Sequence, residues 1–286
     1  MEYKHSLWKR LESEVLPFVS KPGRYIGNEL NAIHKAHNSG ILKIALCFPE
    51  MYEIGMSYMG MQILYHIINK RADCLAERAF TVWPDMEEAL RKQNIPLFSL
   101  ESSTPLCEFD VLGFHLTYEM TFTTALNMLN LAGIPLHSRD RNESHPLILA
   151  GGPSVLNPEP MADFVDAFFV GDAEEAIDKI IDTIAVGKAE RLPKENILLQ
   201  LAKIPGITCV KPDGAFYVYP NVSAYFGKAG INSAAEVAKR LLHEAHVVTV
   251  PGEAFGTNEH IRLSYATSSG EIVRGLERMR AWFAKL

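Results

Sequence analysis

The chain has 286 residues, with 28 Lys plus Arg against 34 Asp plus Glu, a formal charge of −6 and a pI near 5.9. That balance excludes a general electrostatic attraction to nucleic acid or to an anionic membrane surface. Hydrophobic residues make up 48% and charged residues 22%, a globular composition with enough chain for one large or two ordinary domains.

Other classes recede on local grounds. The apolar run at residues 41–48 is broken by Lys43 and is too short to span a bilayer. Lys4, Lys9 and Arg10 are not followed by an apolar core, so no secretory signal is read. Cys47, Cys74, Cys107 and Cys209 form no C-x-x-C pair and have no His at ligand spacing, which argues against a metal or cluster site. A reduced, cytoplasmic protein is the simplest expectation.

Residues 1–40 are polar and mixed, and residues 21–29 read as a turn-rich lead-in. Residues 44–49 are almost wholly apolar, the mark of a strand buried on both faces. Met56, Met59, Ile63, Leu64 and Ile67 follow at helical spacing. Residues 79–83 predict a second strand, and Pro84 and Asp85 open a helix carrying Met86, Ala89 and Leu90. Residues 97–100 predict a third strand. Residues 111–116 predict another, before a helix that turns Phe122, Ala125, Leu126 and Leu129 inward. Residues 147–150 and 167–170 complete the set. Asp172-x-x-Glu175 has the form of a capping box, ahead of a helix lined by Ala173, Ala176, Ile177, Ile180, Ile181 and Ile184.

Strands alternating with helices predict an α/β domain with a parallel sheet covered on both faces. Ligands of such sheets sit beyond the carboxyl ends of the strands. The candidate cofactor-binding residues there are Glu53, Gly55, Ser57, Gly60, Gly151 and Gly152. Each has a plainer reading. Gly55 and Gly60 could only let the loop and first helix pack closely. Gly151-Gly152-Pro153 either offers backbone N–H groups to an anion or makes a tight turn. Glu53 and Glu119 are strand-end carboxylates of a common kind. His66 and His115 read as structural or surface residues, and Met56, Met59 and Met61 as packing. No residue is assigned a catalytic role, and no metal ligand is assigned.

Beyond about residue 203 the pattern changes. Residues 208–210 and 215–219 predict short strands around the turn Lys211-Pro212-Asp213-Gly214. Ser233-x-x-Glu236 is a capping box for a helix with Val237, Leu241, Leu242 and Ala245 inward. Residues 247–250 and 261–265 predict strands. Ser268-x-x-Glu271 opens a final helix with Ile272, Leu276, Met279 and Phe283 inward. The reading is a small α+β unit over residues 204–286, behind a larger one over residues 1–203.

Two resemblances follow from the residues. Arg24-Tyr25-Ile26-Gly27-Asn28-Glu29-Leu30-Asn31, Tyr52-Glu53-Ile54-Gly55-Met56-Ser57, Trp83-Pro84-Asp85-Met86-Glu87, Leu149-Ala150-Gly151-Gly152-Pro153 and Asn157-Pro158-Glu159-Pro160 occur in this order. Together they resemble the N-terminal cobalamin-binding-like domain of a radical SAM protein family. That resemblance implies a flavodoxin-like domain ahead of a radical SAM barrel. The barrel's Cys-x-x-x-Cys-x-x-Cys motif is absent, so neither an iron–sulfur cluster nor SAM cleavage is expected. Cobalt-ligating cobalamin domains carry Asp-x-His-x-x-Gly after the first strand. The comparable Gly55-Met56-Ser57-Tyr58-Met59-Gly60 keeps only the last Gly, so a corrinoid would bind without His ligation.

In the second segment, Lys211-Pro212-Asp213-Gly214-Ala215-Phe216-Tyr217, Pro220-Asn221-Val222-Ser223, Val250-Pro251-Gly252-x-Ala254-Phe255-Gly256 and Ile261-Arg262-Leu263-Ser264-Tyr265-Ala266 resemble the C-terminal small domain of class I PLP-dependent aminotransferases of the aspartate type. The resemblance assigns Arg262 to the substrate α-carboxylate, which a planar guanidinium holds with two parallel hydrogen bonds. The Schiff-base lysine and the partner of the pyridine nitrogen belong to the large domain of that family, which has no counterpart here, so PLP lacks its anchors. The two resemblances meet at Leu201-Ala202-Lys203-Ile204-Pro205-Gly206-Ile207-Thr208-Cys209-Val210, without a Gly/Ser-rich connector. Three functions are compatible: a hybrid chain without a complete catalytic site, a module binding a corrinoid or other small-molecule cofactor, and a subunit completed by a catalytic partner protein.

Overall fold

The computed structural model describes residues 4–38, 40–203, 207–208, 217–218, 220–255, 257–264 and 269–286. The chain divides into two units, residues 1–212 and 213–286.

The first unit is built on a six-stranded sheet: β1 (Leu42–Phe48), β2 (Cys74–Phe80), β3 (Val111–His115), β4 (Leu147–Gly151), β5 (Ala167–Phe169) and β6 (Ile207–Thr208). The spatial order is β2-β1-β3-β4-β5-β6. Neighbours from β2 to β5 run parallel, and β6 joins β5 antiparallel, with Phe168 opposite Thr208. Helices α1 (Leu7–Arg10), α2 (Tyr52–Gly55), α3 (Met59–Lys70), α4 (Pro84–Gln93), α5 (Thr121–Leu131), α6 (Ile177–Ala189) and α7 (Lys194–Leu201) accompany it. One apolar cluster joins Leu11, Met86, Leu90, Leu112, Met128 and Ile148. A second joins Phe48, Ile68, Ile180, Ile181, Ile184 and Leu201. The sheet is thus covered on both faces, as its uninterrupted apolar runs predict. Each fully buried Leu, Ile, Phe or Met side chain contributes about 1.5–3 kcal/mol.

Several expectations are corrected. Ahead of the turn-rich residues 21–29, the segment read only as polar and mixed holds a helix: α1 continues through one wide turn, Leu11–Val15, and buries Leu7, Leu11 and Val15 along one stripe. The second strand begins at Cys74 and ends at Phe80, because Glu77 and Arg78 interrupt its apolar pattern yet are buried as ion partners. Residues 97–100 form no strand. Phe98 makes one isolated bridge to Pro105, and the chain turns back through Ser103, whose φ is 61°. Asp172 does not cap the next helix. Ala173–Glu175 form a 3-10 turn, and α6 starts at Ile177.

The second unit carries β7 (Tyr217–Val218), α8 (Ala234–Arg240), β8 (Val250–Pro251), β9 (Ile261–Ser264) and α9 (Ser269–Phe283), with sheet order β7-β9-β8. The Ser233 cap forms, its Oγ accepting from the Glu236 N–H at 3.2 Å, while the Glu236 carboxylate accepts from the N–H of Asn232, one residue before the cap, in place of the expected Ser233 N–H. Val237, Leu241, Ala245, Ile231, Met279 and Trp282 make the core. Leu242 and Leu276, expected inside, are 45% and 55% exposed. A wide turn at Leu241–Ala245 extends α8 and keeps Leu241 and Ala245 inward, as expected, while Leu242 faces out. The strand expected at residues 247–250 reduces to Val250–Pro251, because His246 takes a left-handed conformation and Val248 is left exposed. The strand expected from residue 208 lies in the larger sheet. Residues 209–216 and Ser268, with their predicted strand, turn and cap, lie outside the described residues. No helix among the described residues is long and apolar enough to cross a membrane.

Candidate functional site

In the parallel order β2-β1-β3-β4-β5, the direction in which successive strands are added reverses between β1 and β3. Crevices for ligands open at the carboxyl ends of strands at such a point. Here that edge of the sheet is formed by residues 49–60 after β1, residues 116–120 after β3 and residues 151–156 after β4. Its rim exposes Ile54, Tyr118, Met120 and Leu156.

One aromatic cluster holds this edge together. The His115 ring stacks on Phe48 at 5.5 Å with 6° between planes and lies 4.4 Å from the Tyr58 ring. His115 Nε2 and Thr117 Oγ1 are buried with no hydrogen-bond partner among the described residues. Burial pushes the His115 imidazole below its ordinary pKa, so at neutral pH it is uncharged and one ring nitrogen has a lone pair able to accept a hydrogen bond. At the rim the Tyr118 hydroxyl donates to Glu50.

The residues singled out in the sequence occupy distinct places around this cluster. Glu53 is held by Arg24 at 2.7 Å and Lys21 at 3.9 Å, and its hydrogen bond with Arg24 keeps its carboxyl below the usual range. Ser57 Oγ donates to the Ile54 carbonyl at 2.7 Å and closes its own turn. A Cβ on Gly60 would lie 3.0 Å from the Tyr58 ring. Gly152 has φ +103°, and a Cβ there would lie 2.7 Å from the Leu116 carbonyl and 3.1 Å from His115. Gly151 has nothing nearer than 3.7 Å. Gly55 packs hardest, since a Cβ would sit 2.3 Å from Phe80 Cε1 and 3.2 Å from Phe48. Gly55→Ala is therefore expected to destabilise the first unit by about 1–3 kcal/mol through overpacking. Gly151→Ala, with ordinary van der Waals contact and ordinary φ, should change stability by less than about 0.5 kcal/mol. Urea denaturation of both variants checks this, and equal midpoints would contradict it.

Arg262 lies elsewhere, half-buried in β9 opposite Val250. Among the described residues no three His, Cys, Asp or Glu side chains converge as a metal site. The sequence pattern does not single out Phe48, Tyr58 and Thr117. The available signal is a polar or aromatic residue closing an apolar strand, as in Leu116-Thr117-Tyr118.

The comparisons with known proteins divide the chain in the same sense as its composition. The family described as "Radical SAM proteins, N-terminal" matches residues 60–209, more than half of the chain, and the chain belongs to that family. "Aminotransferase class I and II" matches residues 194–279. The aspartate aminotransferase of Bacillus subtilis (strain 168) is 43% identical over 90 residues, covering 32% of this chain and 23% of that protein. That of Geobacillus stearothermophilus is 36% identical over 127 residues, covering 44% of this chain and 30% of that protein. The chain thus spans less than a third of the length of these relatives. A solved Thermotoga maritima aspartate aminotransferase aligns at 16% identity over 85% of this chain and 70% of that one. Its TM-score of 0.24 is too low to argue a shared fold.

Proposed function

We propose that this chain is a hybrid that keeps two folded modules and no complete catalytic centre. Its first module is a radical SAM-associated N-terminal domain, and its second derives from the small domain of an aspartate-type aminotransferase. The observation that carries this is the overlap of the two family matches at residues 194–209. That overlap holds α7 and β6, local structure that both patterns accept, so a crossover there disturbs neither side. The strand order 2-1-3-4-5 is that of flavodoxin-like sheets and supports a flavodoxin-like first domain.

The implied cofactors fit poorly. The stretch that would face a corrinoid gives Ser57 to its own turn and Tyr58 to the aromatic cluster, and offers no imidazole. The second unit supplies one arginine, Arg262, from the aminotransferase site and no lysine in a Schiff-base context. No chemical step is therefore assigned to cobalt or to PLP. Purified chain given PLP, aspartate and 2-oxoglutarate is expected to form no glutamate above the blank, and turnover abolished by Arg262→Ala would sink the proposal. Amplification across codons 198–216 from source DNA should give one continuous product. Two complete genes amplifying separately would make the join an artefact.

A second reading has its own observation. Buried, unpartnered His115 Nε2 and Thr117 Oγ1 at the β1/β3 crevice favour a flat cofactor bound there by hydrogen bonds. Titration with hydroxocobalamin, followed by its absorbance, tests it: an unchanged spectrum and no retention on gel filtration would count against a corrinoid.

A further inference from the structure

A second concave site adjoins the loop after β1 and extends along α3. A groove of about 710 Å³ runs along α3 beside residues 29–31 of the lead-in. Met56, Met59 and Ile63 line its apolar side, and Glu29, Gln62 and Arg78 its polar side. A cleft of this size with apolar walls and a few convergent polar groups has the form of a small-molecule site, and methionines adapt to a ligand's shape.

The polar side is a buried network with one loose member. Arg78 stands on β2 with its side chain 3% exposed. Its Nε donates to Glu101 at 2.6 Å and its Nη1 to the Gln62 side-chain oxygen at 3.1 Å. The guanidinium also lies 4.5 Å over the Tyr65 ring. Among the described residues Nη2, by contrast, reaches only Glu29 Oε2, at 3.4 Å. The other oxygen of Glu29 is fixed by the Tyr52 hydroxyl at 2.9 Å. A donor and an acceptor therefore stand side by side at the groove, with little hydrogen-bond energy spent between them.

We propose that this groove binds an uncharged amphipathic molecule by a primary-amide or lactam edge. The ligand carbonyl accepts from Arg78 Nη2, its N–H donates to Glu29 Oε2, and its apolar body lies against Met56, Met59 and Ile63. An amide edge carries its oxygen and its N–H side by side, so its two parallel hydrogen bonds need adjacent partners of the kind Arg78 and Glu29 present. Charge selects neutrality. At the polar end a carboxylate ligand would meet Glu29 and an ammonium would meet the Arg78 guanidinium, while His66 and Lys70 line the groove farther along α3.

The test is ligand-observed NMR titration of the full chain with 2-naphthamide, beside 2-naphthoate and 2-methylnaphthalene. The amide is expected to bind saturably and at least about tenfold tighter than either, the value of one to two net hydrogen bonds. Ile63→Arg, at a 39% exposed position, fills the groove and should weaken the amide by at least about tenfold. Glu29→Ala should abolish the preference for the amide over the hydrocarbon. Three results overturn the proposal: no saturable binding of the amide, no preference over the hydrocarbon, or binding indifferent to Ile63→Arg. The last holds even if Glu29→Ala fails to fold.

Discussion

Asp166→Ala is expected to cost the first unit about 3–5 kcal/mol, the range for removing one partner of a buried ion pair. Asp166 and Arg141 both have side chains that are 0% exposed, with Arg141 Nη2 at 2.9 Å from Asp166 Oδ1. Lys194 Nζ approaches the same oxygen at 2.7 Å, and the Ser138 hydroxyl donates to it as well. Asp166 Oδ2 accepts from the Ile148 N–H at 2.8 Å. Arg141 also donates to the carbonyls of Pro135, Leu136 and Phe164. Alanine would leave a guanidinium in the interior with no counter-charge and would release Lys194 at the start of α7. Urea denaturation followed by circular dichroism measures the loss, and a change under about 1 kcal/mol would show that water or rearrangement replaces the carboxylate. The double variant Arg141→Met, Asp166→Leu removes both charges and should recover part of the loss.

The stability of the first unit should fall as pH rises from 5 to 8, through one carboxyl group. Glu101 is fully buried, and burial pushes its pKa up to about 7 against the opposing pull of Arg78. In the unfolded chain a glutamate titrates near ~4.3. Between these values the folded state holds a proton that the unfolded state has released. The contribution is therefore complete below the unfolded pKa and is lost as pH rises through about 7. Its size is on the order of 3 kcal/mol, from a shift of between two and three pKa units. Glu101→Gln cannot titrate, so the difference in unfolding free energy between wild type and variant should change by that amount from pH 5 to pH 8. The other titrating groups are common to both proteins and drop out of the difference. A pH-independent difference would show that Glu101 is ionised throughout.

Most of the sheet is legible in the sequence because its strands are buried on both faces, and runs such as residues 44–48 and 147–150 need no long-range information to be recognised. Strand β2 is the exception. Glu77 and Arg78 look like surface residues until His37, Ser99, Ser102, Glu101 and Gln62 are brought around them from elsewhere in the chain. The helix at Leu7 escapes because its stripe holds only three apolar residues in a polar segment. At the candidate site, the close packing of Gly55 follows the plainer of its two readings, whereas the stacking of His115 on Phe48 and Tyr58 joins three segments that no local pattern relates. The groove beside α3 is hidden for the same reason, since its polar side pairs Glu29 of the lead-in with Arg78 of β2.

The adjacent charges of β2 have a consequence for how the strand finds its alignment. Successive residues of a strand point to opposite faces. Glu77 therefore meets His37 and the serine hydroxyls on one side, while Arg78 meets Glu101 and Glu29 on the other. In most sheets the contrast between an oily and a wet face punishes a slip of one residue. A strand oily on both faces has no such contrast. Here a slip would carry Glu77 towards Glu101 and Glu29, and Arg78 towards a histidine and hydroxyls that offer no negative charge. The two ionic residues thus work as a key with a single orientation, and they encode the alignment of β2 that its hydrophobic neighbours leave open.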